Sequence, residues 1–247
     1  MALKHLNFSP PVIAHRGARI RAPENTMIAF KAAQEDGATW IETDVKLTSD
    51  GIPILMHDDI LDRTTNGHGS VADMTWAEMQ TLDAGAWFST GFSGTRVPAL
   101  MELLAFAREA GMRLNLEIKP SPGRTQATAM VTLIEAAKMW PDHLPPPLIS
   151  SFDIEALIVA AQLHPDWPRG LLLDEWRDDW RELASLTQAT TLNLNVDLLT
   201  PERIAVLHHA QMPILTYTVN DPRRAQELQK AGVAAVFSDD PALIIKA

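Results

Sequence analysis

The chain has no cysteine, and its apolar runs are short. Without cysteine it forms no disulfide and uses no thiolate chemistry. No stretch approaches the roughly 20 apolar residues that a transmembrane helix needs. Residues 1–11 hold neither a long apolar run nor a small-residue cleavage site, so we expect neither a secretion signal nor a membrane anchor there. These absences lead us to expect a cytoplasmic protein with no stable membrane association.

Basic residues are also scarce, because 21 Lys and Arg stand against 31 Asp and Glu, for a formal net charge of −10. A protein that binds nucleic acid or an acidic membrane needs a basic face, so this balance argues against both partners. Any recognition of a phosphate group must then be local. We therefore expect a small-molecule partner and no nucleic acid, while the composition leaves the oligomeric state open.

The 247 residues have the length of one large domain, and an apolar fraction of 46% is enough to form a substantial core. Short apolar, β-branched segments recur, and each is followed by a longer stretch with helical spacing. The predicted strands are 12–15, 39–47 with a returning arm 52–57, 113–118, 148–152, 170–173, 191–196, 214–219 and 234–238. The predicted helices are 26–36, 100–110, 126–139, 154–163, 177–186, 201–209 and 222–231.

Eight such units predict an α/β fold, and a (β/α)8 TIM barrel is the most economical way to close them. An open, doubly wound sheet is the rival, but no glycine-rich dinucleotide fingerprint follows the first strand. We interpret residues 1–247 as a single domain. The irregular stretch at approximately 59–97 is too long for an ordinary connection, so we predict a small insertion subdomain over the barrel mouth.

Acidic residues stand at alternate positions near the ends of two predicted strands. Glu42 and Asp44 lie on the second strand, and Glu117 precedes Lys119 at the end of the third. Alternate side chains share a face, and active sites of such barrels lie at the carboxyl ends of the strands. Three converging carboxylates oppose one another's ionisation unless a cation binds them. All-oxygen ligands favour Mg²⁺, with Mn²⁺ or Ca²⁺ as alternatives. The competing interpretation of the strand-two pair is a solvated strand end or a salt bridge with Lys46.

Two histidines are placed to move protons. His15 ends the first predicted strand, and His57 ends the returning arm of the second. Imidazoles titrate near neutral pH and can exchange protons with the entering and leaving oxygens of a phosphodiester. We predict that both are catalytic. Arg16 and Lys119 would supply the positive charge that a phosphate needs in this acidic chain, a role compatible with balancing the carboxylates.

A series of polar motifs runs along the chain in a fixed order. They are His15-Arg16-Gly17, Pro23-Glu24-Asn25-Thr26, Glu42-Thr43-Asp44-Val45, His57-Asp58, Glu117-Ile118-Lys119 and the closing Ser238-Asp239-Asp240-Pro241. As an ordered set covering nearly the whole chain, they resemble the glycerophosphodiester phosphodiesterase family, and residues 170–180 further resemble its cytosolic bacterial branch. The resemblance implies a (β/α)8 barrel, a divalent metal on Glu42, Asp44 and Glu117, an acid–base pair of His15 and His57, and phosphate contacts from Arg16 and Lys119.

The resemblance also implies hydrolysis of glycerophosphodiesters to sn-glycerol 3-phosphate and an alcohol. We expect the metal to lower the pKa of the glycerol 2-hydroxyl, which attacks phosphorus and forms a cyclic phosphate that water then opens. One histidine removes the hydroxyl proton while the other protonates the departing alcohol. The order of the two is open at this point, with His57 favoured as the first base and His15 as the acid.

Two other functions compete with this hypothesis. A phospholipase D-like activity on lysolipids would need an apolar rim, which Trp87, Phe88 and Phe92 of the insertion would supply, although aromatic residues there more often form a small core. A non-catalytic barrel would bind phosphodiesters or metal without turnover.

Overall fold

The computed structural model describes residues 6–141 and 144–247. The expectation for the N-terminal segment 1–11 falls partly on residues 1–5, which lie outside the described part. The strands are β1 (Val12–His15), β2 (Trp40–Leu47), β3 (Pro53–Leu55), β4 (Arg113–Ile118), β5 (Leu148–Ser151), β6 (Arg169–Leu173), β7 (Thr191–Asn195), β8 (Ile214–Tyr217) and β9 (Ala235–Ser238). The helices are α1 (Met27–Glu35), α2 (Trp76–Met79), α3 (Leu100–Ala110), α4 (Thr125–Met139), α5 (Ile154–Leu163), α6 (Trp180–Thr187), α7 (Pro201–His209), α8 (Pro222–Lys230) and α9 (Pro241–Ile245).

Eight of the described strands are parallel and close into a ring. β1 pairs with β2 on one side and with β9 on the other, so the sheet has no free edge between its first and last parallel strands. The short strand β3 pairs antiparallel with the end of β2 and stays outside the ring. The predicted (β/α)8 barrel is thus confirmed, and the open-sheet alternative is wrong.

Local signals place most helices where the sequence predicts them. The Thr26 hydroxyl accepts a hydrogen bond from Ala29 at the start of α1, and the Asp153 carboxylate accepts two backbone N–H bonds at the start of α5. Among the predicted helices the exception is α6, which begins at Trp180 and not at 177, and the short helices α2 and α9 are not among the predictions. The Arg177 guanidinium instead pairs with Asp179 in the turn before the helix, and the buried face of the helix begins only at Trp180.

The core has two layers because the strand residues alternate. Ile41 and Val45 of β2 face the helices and join the large cluster between barrel and helices. Inside the amino-terminal end of the barrel, a smaller cluster of Ile13, Trp40 and Phe237 fills the space. The upper interior is polar, and that is where the candidate site lies.

Residues between β3 and α3 form a compact unit with its own apolar cluster. Leu61, Val71 and Met79 are its fully buried members, and α2 begins with a capping box formed by Thr75 and Glu78. Trp87, Phe88 and Phe92 pack edge to face on one another. Within the described residues, no helix is both long and apolar enough to cross a membrane.

Candidate functional site

Three carboxylates meet inside the carboxyl end of the barrel. Register pairs Asp44 of β2 directly with Glu117 of β4, and Glu42 lies one inward position below Asp44. One oxygen of each carboxylate lies within 4.8 Å of the others. All three side chains are buried, with residue exposures of 2%, 1% and 8% for Glu42, Asp44 and Glu117. Strand alternation and sheet closure therefore bring together the three predicted metal ligands.

The electrostatics of this cluster fit a divalent cation. Burial, reinforced by the charge of Asp44, raises the pKa of Glu42 well above its ordinary value and that of Glu117 to about 7. Burial acts in the same direction on Asp44, but Arg16 and Lys119 outweigh it and hold the pKa of that carboxyl low. Glu42 Oε1 is buried and has no hydrogen-bond partner among the described residues. A hard cation would satisfy this oxygen and allow all three carboxylates to ionise.

His15 lies on β1 with its ring nitrogen fixed by a carboxylate. Its Nδ1 is 2.7 Å from Asp239 Oδ1, which follows the neighbouring strand β9. Asn220 donates to the other oxygen of Asp239, and Arg19 approaches the first at 3.6 Å. Burial lowers the pKa of His15, although Asp239 acts in the opposite direction. The Asp239 contact leaves Nε2 as the ring nitrogen available to a substrate.

His57 also pairs through its ring nitrogen with a carboxylate, here that of the next residue in the chain. Its Nδ1 is 2.6 Å from Asp58 Oδ1, and the Arg63 guanidinium bonds both oxygens of Asp58 and both oxygens of Glu24. Burial lowers the pKa of His57. The Met56 N–H donates to Asp44 O, so the backbone that leads into His57 is tied to the strand of the carboxylate cluster.

The two predicted phosphate-binding cations lie against the carboxylates. Arg16 donates through Nη1 to Glu24 at 2.8 Å, and its Nε lies 3.3 Å from Asp44 Oδ2. Lys119 Nζ lies 3.1 Å from Glu117 and 3.5 Å from Asp44. Both side chains line the cavity at the barrel mouth, so balancing the carboxylates leaves them facing the same space.

The backbone around Arg16 adopts an uncommon conformation. Arg16 and Asn25 have left-handed φ values of 56° and 55°. The Arg16 N–H thereby donates to Glu42 Oε2 at 2.9 Å, while Asn25 donates to Asp44 Oδ2 and accepts from the Thr43 hydroxyl. The strained loop thus orients two of the three carboxylates.

Lys46 does not form the salt bridge with Glu42 or Asp44 that the sequence left as an alternative. Its ammonium lies 2.6 Å from Asp59 Oδ1 and donates to the Lys119 carbonyl at 3.1 Å. The residue is only 1% exposed. One enclosed charge thus ties β2, the end of β4 and the segment after His57 together.

A cavity of about 560 Å³, here called the inner cavity, opens above the carboxylates. His15, Glu42, Phe152 and Tyr217 are among its lining residues. Its floor is polar, because Asn115 donates to the Ser150 hydroxyl and the Asn115 Oδ1 atom has no partner among the described residues. The aromatic residues proposed as an apolar rim are absent from its described lining.

Sequence analysis did not identify the roles of the residues that position the two histidines. The sequence marks Asp239 only as part of the closing motif after the last strand, which closure places beside β1. Asp58 was visible only as the neighbour of His57 in a motif. Sequence analysis assigned Arg63 no role, because nothing in the sequence shows that the side chain bridges Glu24 and Asp58, which are 39 and 5 positions away.

Fold and site together define a class of protein: a (β/α)8 barrel enzyme whose mouth joins a carboxylate cluster suited to a divalent cation with two carboxylate-paired histidines. Known sequences narrow this class. The profile of the glycerophosphoryl diester phosphodiesterase family matches residues 15–243. A glycerophosphodiester phosphodiesterase of Caldanaerobacter subterraneus subsp. tengcongensis is 35% identical over 238 residues, covering 95% of this chain and 96% of that protein. The chain belongs to the glycerophosphoryl diester phosphodiesterase family, and the resemblance found in its motifs is confirmed.

Other relatives and solved structures agree. A Bacillus subtilis glycerophosphodiester phosphodiesterase is 32% identical, covering 95% of this chain and 85% of that protein. The structure of an Oleispira antarctica phosphodiesterase in complex with the product sn-glycerol-3-phosphate has a TM-score of 0.94 and 36% identity, covering 99% of this chain and 98% of that one. A glycerophosphodiester phosphodiesterase from Agrobacterium tumefaciens has a TM-score of 0.75 and 28% identity, covering 96% and 99%.

Proposed function

We propose that this chain hydrolyses glycerophosphodiesters to sn-glycerol 3-phosphate and an alcohol. The observation that carries the proposal is that a three-carboxylate cluster, of which Glu42 and Glu117 line the inner cavity, meets two carboxylate-paired imidazoles that line the same cavity. The Oleispira antarctica enzyme, similar over nearly the whole chain, was solved with sn-glycerol-3-phosphate as its product. A compound of that kind has the groups for which this site has partners: a phosphate for the cations and hydroxyls for the polar floor.

A divalent cation would be held by Glu42, Asp44 and Glu117. Oxygen-only ligands favour Mg²⁺, with Ca²⁺ or Mn²⁺ as alternatives. When bound, such an ion stabilises negative charge on a phosphoryl oxygen and lowers the pKa of a coordinated hydroxyl. Arg16 and Lys119 would share the phosphate charge, and Glu24 fixes the Arg16 fork in place.

The two imidazoles would exchange roles between two steps. In the first, the glycerol 2-oxygen forms a bond to phosphorus while the bond from phosphorus to the alcohol oxygen breaks. One imidazole takes the 2-hydroxyl proton, and the other, protonated with the help of the bound phosphate charge, gives its proton to the alcohol. In the second step the oxygen of water forms a bond to phosphorus while the bond from phosphorus to the glycerol 2-oxygen breaks, and the protons move in the opposite direction to give sn-glycerol 3-phosphate. Asp239 and Asp58 keep each ring oriented throughout.

Release of sn-glycerol 3-phosphate from glycerophosphocholine in the presence of Mg²⁺ tests this function. A coupled dehydrogenase assay should detect release that EDTA abolishes and added Mg²⁺ restores. Binding has a separate readout, because Mg²⁺ should raise the Tm of the wild-type protein and raise it less in Glu42→Gln. Turnover that is unchanged by exhaustive chelation would contradict the metal role. Binding of the diester without any product would favour a non-catalytic barrel.

Lysophosphatidylcholine separates the proposal from a phospholipase D-like activity. Phe88 packs edge to face against Trp87 and Phe92, and none of the three lines the inner cavity as far as the described residues go. We therefore expect glycerophosphocholine to be cleaved far faster than the lysolipid when the products of both are measured directly. The reverse order would favour the lipid substrate.

A further inference from the structure

A second cavity of about 580 Å³ adjoins the inner cavity and is here called the outer cavity. Its own walls include Lys46, Asp58, Asp59, Ile60, Pro120 and Asp153. Four residues line both cavities, namely His57, Glu117, Lys119 and Phe152. The two spaces thus lie on either side of one histidine and one of the cations proposed to hold the phosphate.

A phosphodiester carries two alcohol arms on one phosphorus atom. With phosphorus beside the shared residues, one arm extends into each cavity. The inner cavity contains Glu42 and both histidines, and its floor of Asn115 and Ser150 can bond hydroxyls. Glycerol brings the attacking hydroxyl and a second one, so it fits the inner cavity. The outer cavity is then left for the other arm.

We propose that the outer cavity receives the alcohol that leaves, and that it favours alcohols that carry a positive charge. This inference rests on the proposed function, because it names where the second half of the same substrate binds. It assigns a binding role to residues that the reaction itself does not use, above all Asp59 and Ile60.

The charge preference rests on which charged side chains are exposed to the outer cavity. Besides Glu117, which lines both cavities, the carboxylates of Asp58, Asp59 and Asp153 line the outer cavity. The lysines that line it are already paired, Lys46 at 2% side-chain exposure with Asp59, and Lys119 with Glu117 and Asp44. Arg63 also neutralises Asp58. The side chain of Asp59, by contrast, is 53% exposed although Lys46 holds one of its oxygens.

An aromatic ring, that of Phe152, also lines the outer cavity. Phe152 is 40% exposed and lines both cavities, with Lys119 Nζ 5.7 Å from its ring centre. Aromatic rings attract ammonium groups, including quaternary ones that cannot donate hydrogen bonds. An ammonium-bearing alcohol would therefore meet a carboxylate and a ring within one cavity.

The walls that carry this preference are held in place before substrate arrives. The Asp59 carbonyl accepts from Val71 N–H at 2.9 Å, and Ile60 bridges to Ser70 in the insertion. Lys46 ties the Asp59 carboxylate to the barrel. The outer cavity is therefore a junction between the insertion stem and the ends of β4 and β5, and its shape is set by both.

The positions of the two histidines relative to the two cavities also indicate the order of the proton transfers. His57 lines both cavities, whereas His15 lines the inner one only, as far as the described residues go. His57 would then give its proton to the alcohol oxygen as the bond to phosphorus breaks, and His15 would take the proton of the glycerol 2-hydroxyl. This is the reverse of the order that the sequence favours.

Narrowing the outer cavity tests its role. Ile60 is 51% exposed, so Ile60→Trp should add bulk without disturbing the core. Ile20→Trp is the matched control, because Ile20 is 58% exposed and lines neither cavity. With glycerophosphoinositol as a bulky substrate, kcat/KM should fall about tenfold in Ile60→Trp. With the methyl ester of sn-glycerol 3-phosphate it should stay within about twofold. Ile20→Trp should leave both unchanged.

Asp59→Asn tests the charge preference. The ratio of kcat/KM for glycerophosphocholine to that for glycerophosphoglycerol, whose leaving alcohol is uncharged, should fall about fivefold, the size of a partly exposed ion pair. A general loss of activity through Lys46 would lower both values and leave their ratio unchanged.

An unchanged ratio in Asp59→Asn overturns the charge preference. Equal losses of kcat/KM for the methyl ester and for the inositol substrate in Ile60→Trp overturn the cavity assignment. If the wild-type protein releases sn-glycerol 3-phosphate from no diester, the proposed function fails instead.

Discussion

At the scale of single residues, the two imidazoles are held by the same kind of partner but differ in how exposed their side chains are. Each presents Nδ1 to a carboxylate, but the His15 side chain is 14% exposed and that of His57 is 29% exposed. Burial keeps the pKa of both below the ordinary histidine value, so both rings are largely neutral at neutral pH in the free protein. A neutral ring can accept a proton at once, and the partner carboxylate stabilises the imidazolium that forms.

Replacing either histidine should stop the proton transfers while leaving the barrel folded. We expect His15→Ala and His57→Ala each to lower kcat by about 10²–10⁴, since positioned proton transfer contributes that much. Steady-state release of sn-glycerol 3-phosphate, with circular dichroism to verify folding, measures the effect.

His68→Ala is a suitable control, because His68 is exposed in the insertion and bonds only Asp62 among the described residues. Wild-type turnover in both single mutants would remove the acid–base assignment.

At the scale of elements, the loop from β1 to α1 depends on a glycine. Gly17 has a φ of +84°, and a Cβ atom there would lie 2.7 Å from Ala29 in α1. The close approach lets the Ala18 N–H donate to the Ala29 carbonyl while Arg16 turns toward Glu42. The site and the first helix therefore share one tight turn.

Gly17→Ala should destabilise the protein by about 3 kcal/mol or more, because the change adds both backbone strain and a clash. Gly51→Ala isolates the strain, since Gly51 has a φ of +85° with no atom within 4 Å of the added Cβ. It should cost about 1 kcal/mol. Urea unfolding of both variants measures the difference, and equal costs would show that the packing against Ala29 is unimportant.

At the scale of the whole molecule, Glu24 links the barrel to the insertion. Its carboxylate, only 3% exposed, accepts from Arg16 of the barrel loop and from Arg63 of the insertion. Burial alone would raise the pKa of Glu24, but the bonds from Arg63 and the charge of Arg16 outweigh it and lower the pKa to about 2. The ion network thus depends on an ionised carboxylate.

The lowered pKa predicts how stability depends on pH. A carboxylate with a folded-state pKa below its unfolded value stabilises the fold above the unfolded pKa, and the contribution is lost as pH falls through the folded pKa. Wild type should therefore exceed Glu24→Gln by about 3 kcal/mol in free energy of unfolding at pH 7. The gap should narrow as pH falls from about 4.5 to 2.

Glu35→Gln serves as the comparison, because the Glu35 side chain is 70% exposed. It should change stability by less than about 0.5 kcal/mol at any pH. A Glu24→Gln gap that is constant with pH would mean that the loss reflects packing and not charge.

Much of the architecture was readable from local pattern. Alternating apolar segments and helical spacing predicted the barrel, because strand and helix periods depend only on nearby residues. The same alternation put Glu42 and Asp44 on one face, and the ordered motifs pointed to the family. The start of α6 was missed, since an Arg177–Asp179 pair occupies residues whose composition suits a helix.

The sequence by itself thus determined the fold class, the family and the residue types available for chemistry. Only the tertiary structure decided which carboxylate serves which histidine, that Lys46 pairs with Asp59, and that two cavities meet at His57 and Lys119. The physical reason is barrel closure. It makes neighbours of β1 and β9, and so joins His15 to Asp239 across 224 positions of chain, a distance over which no local periodicity carries information.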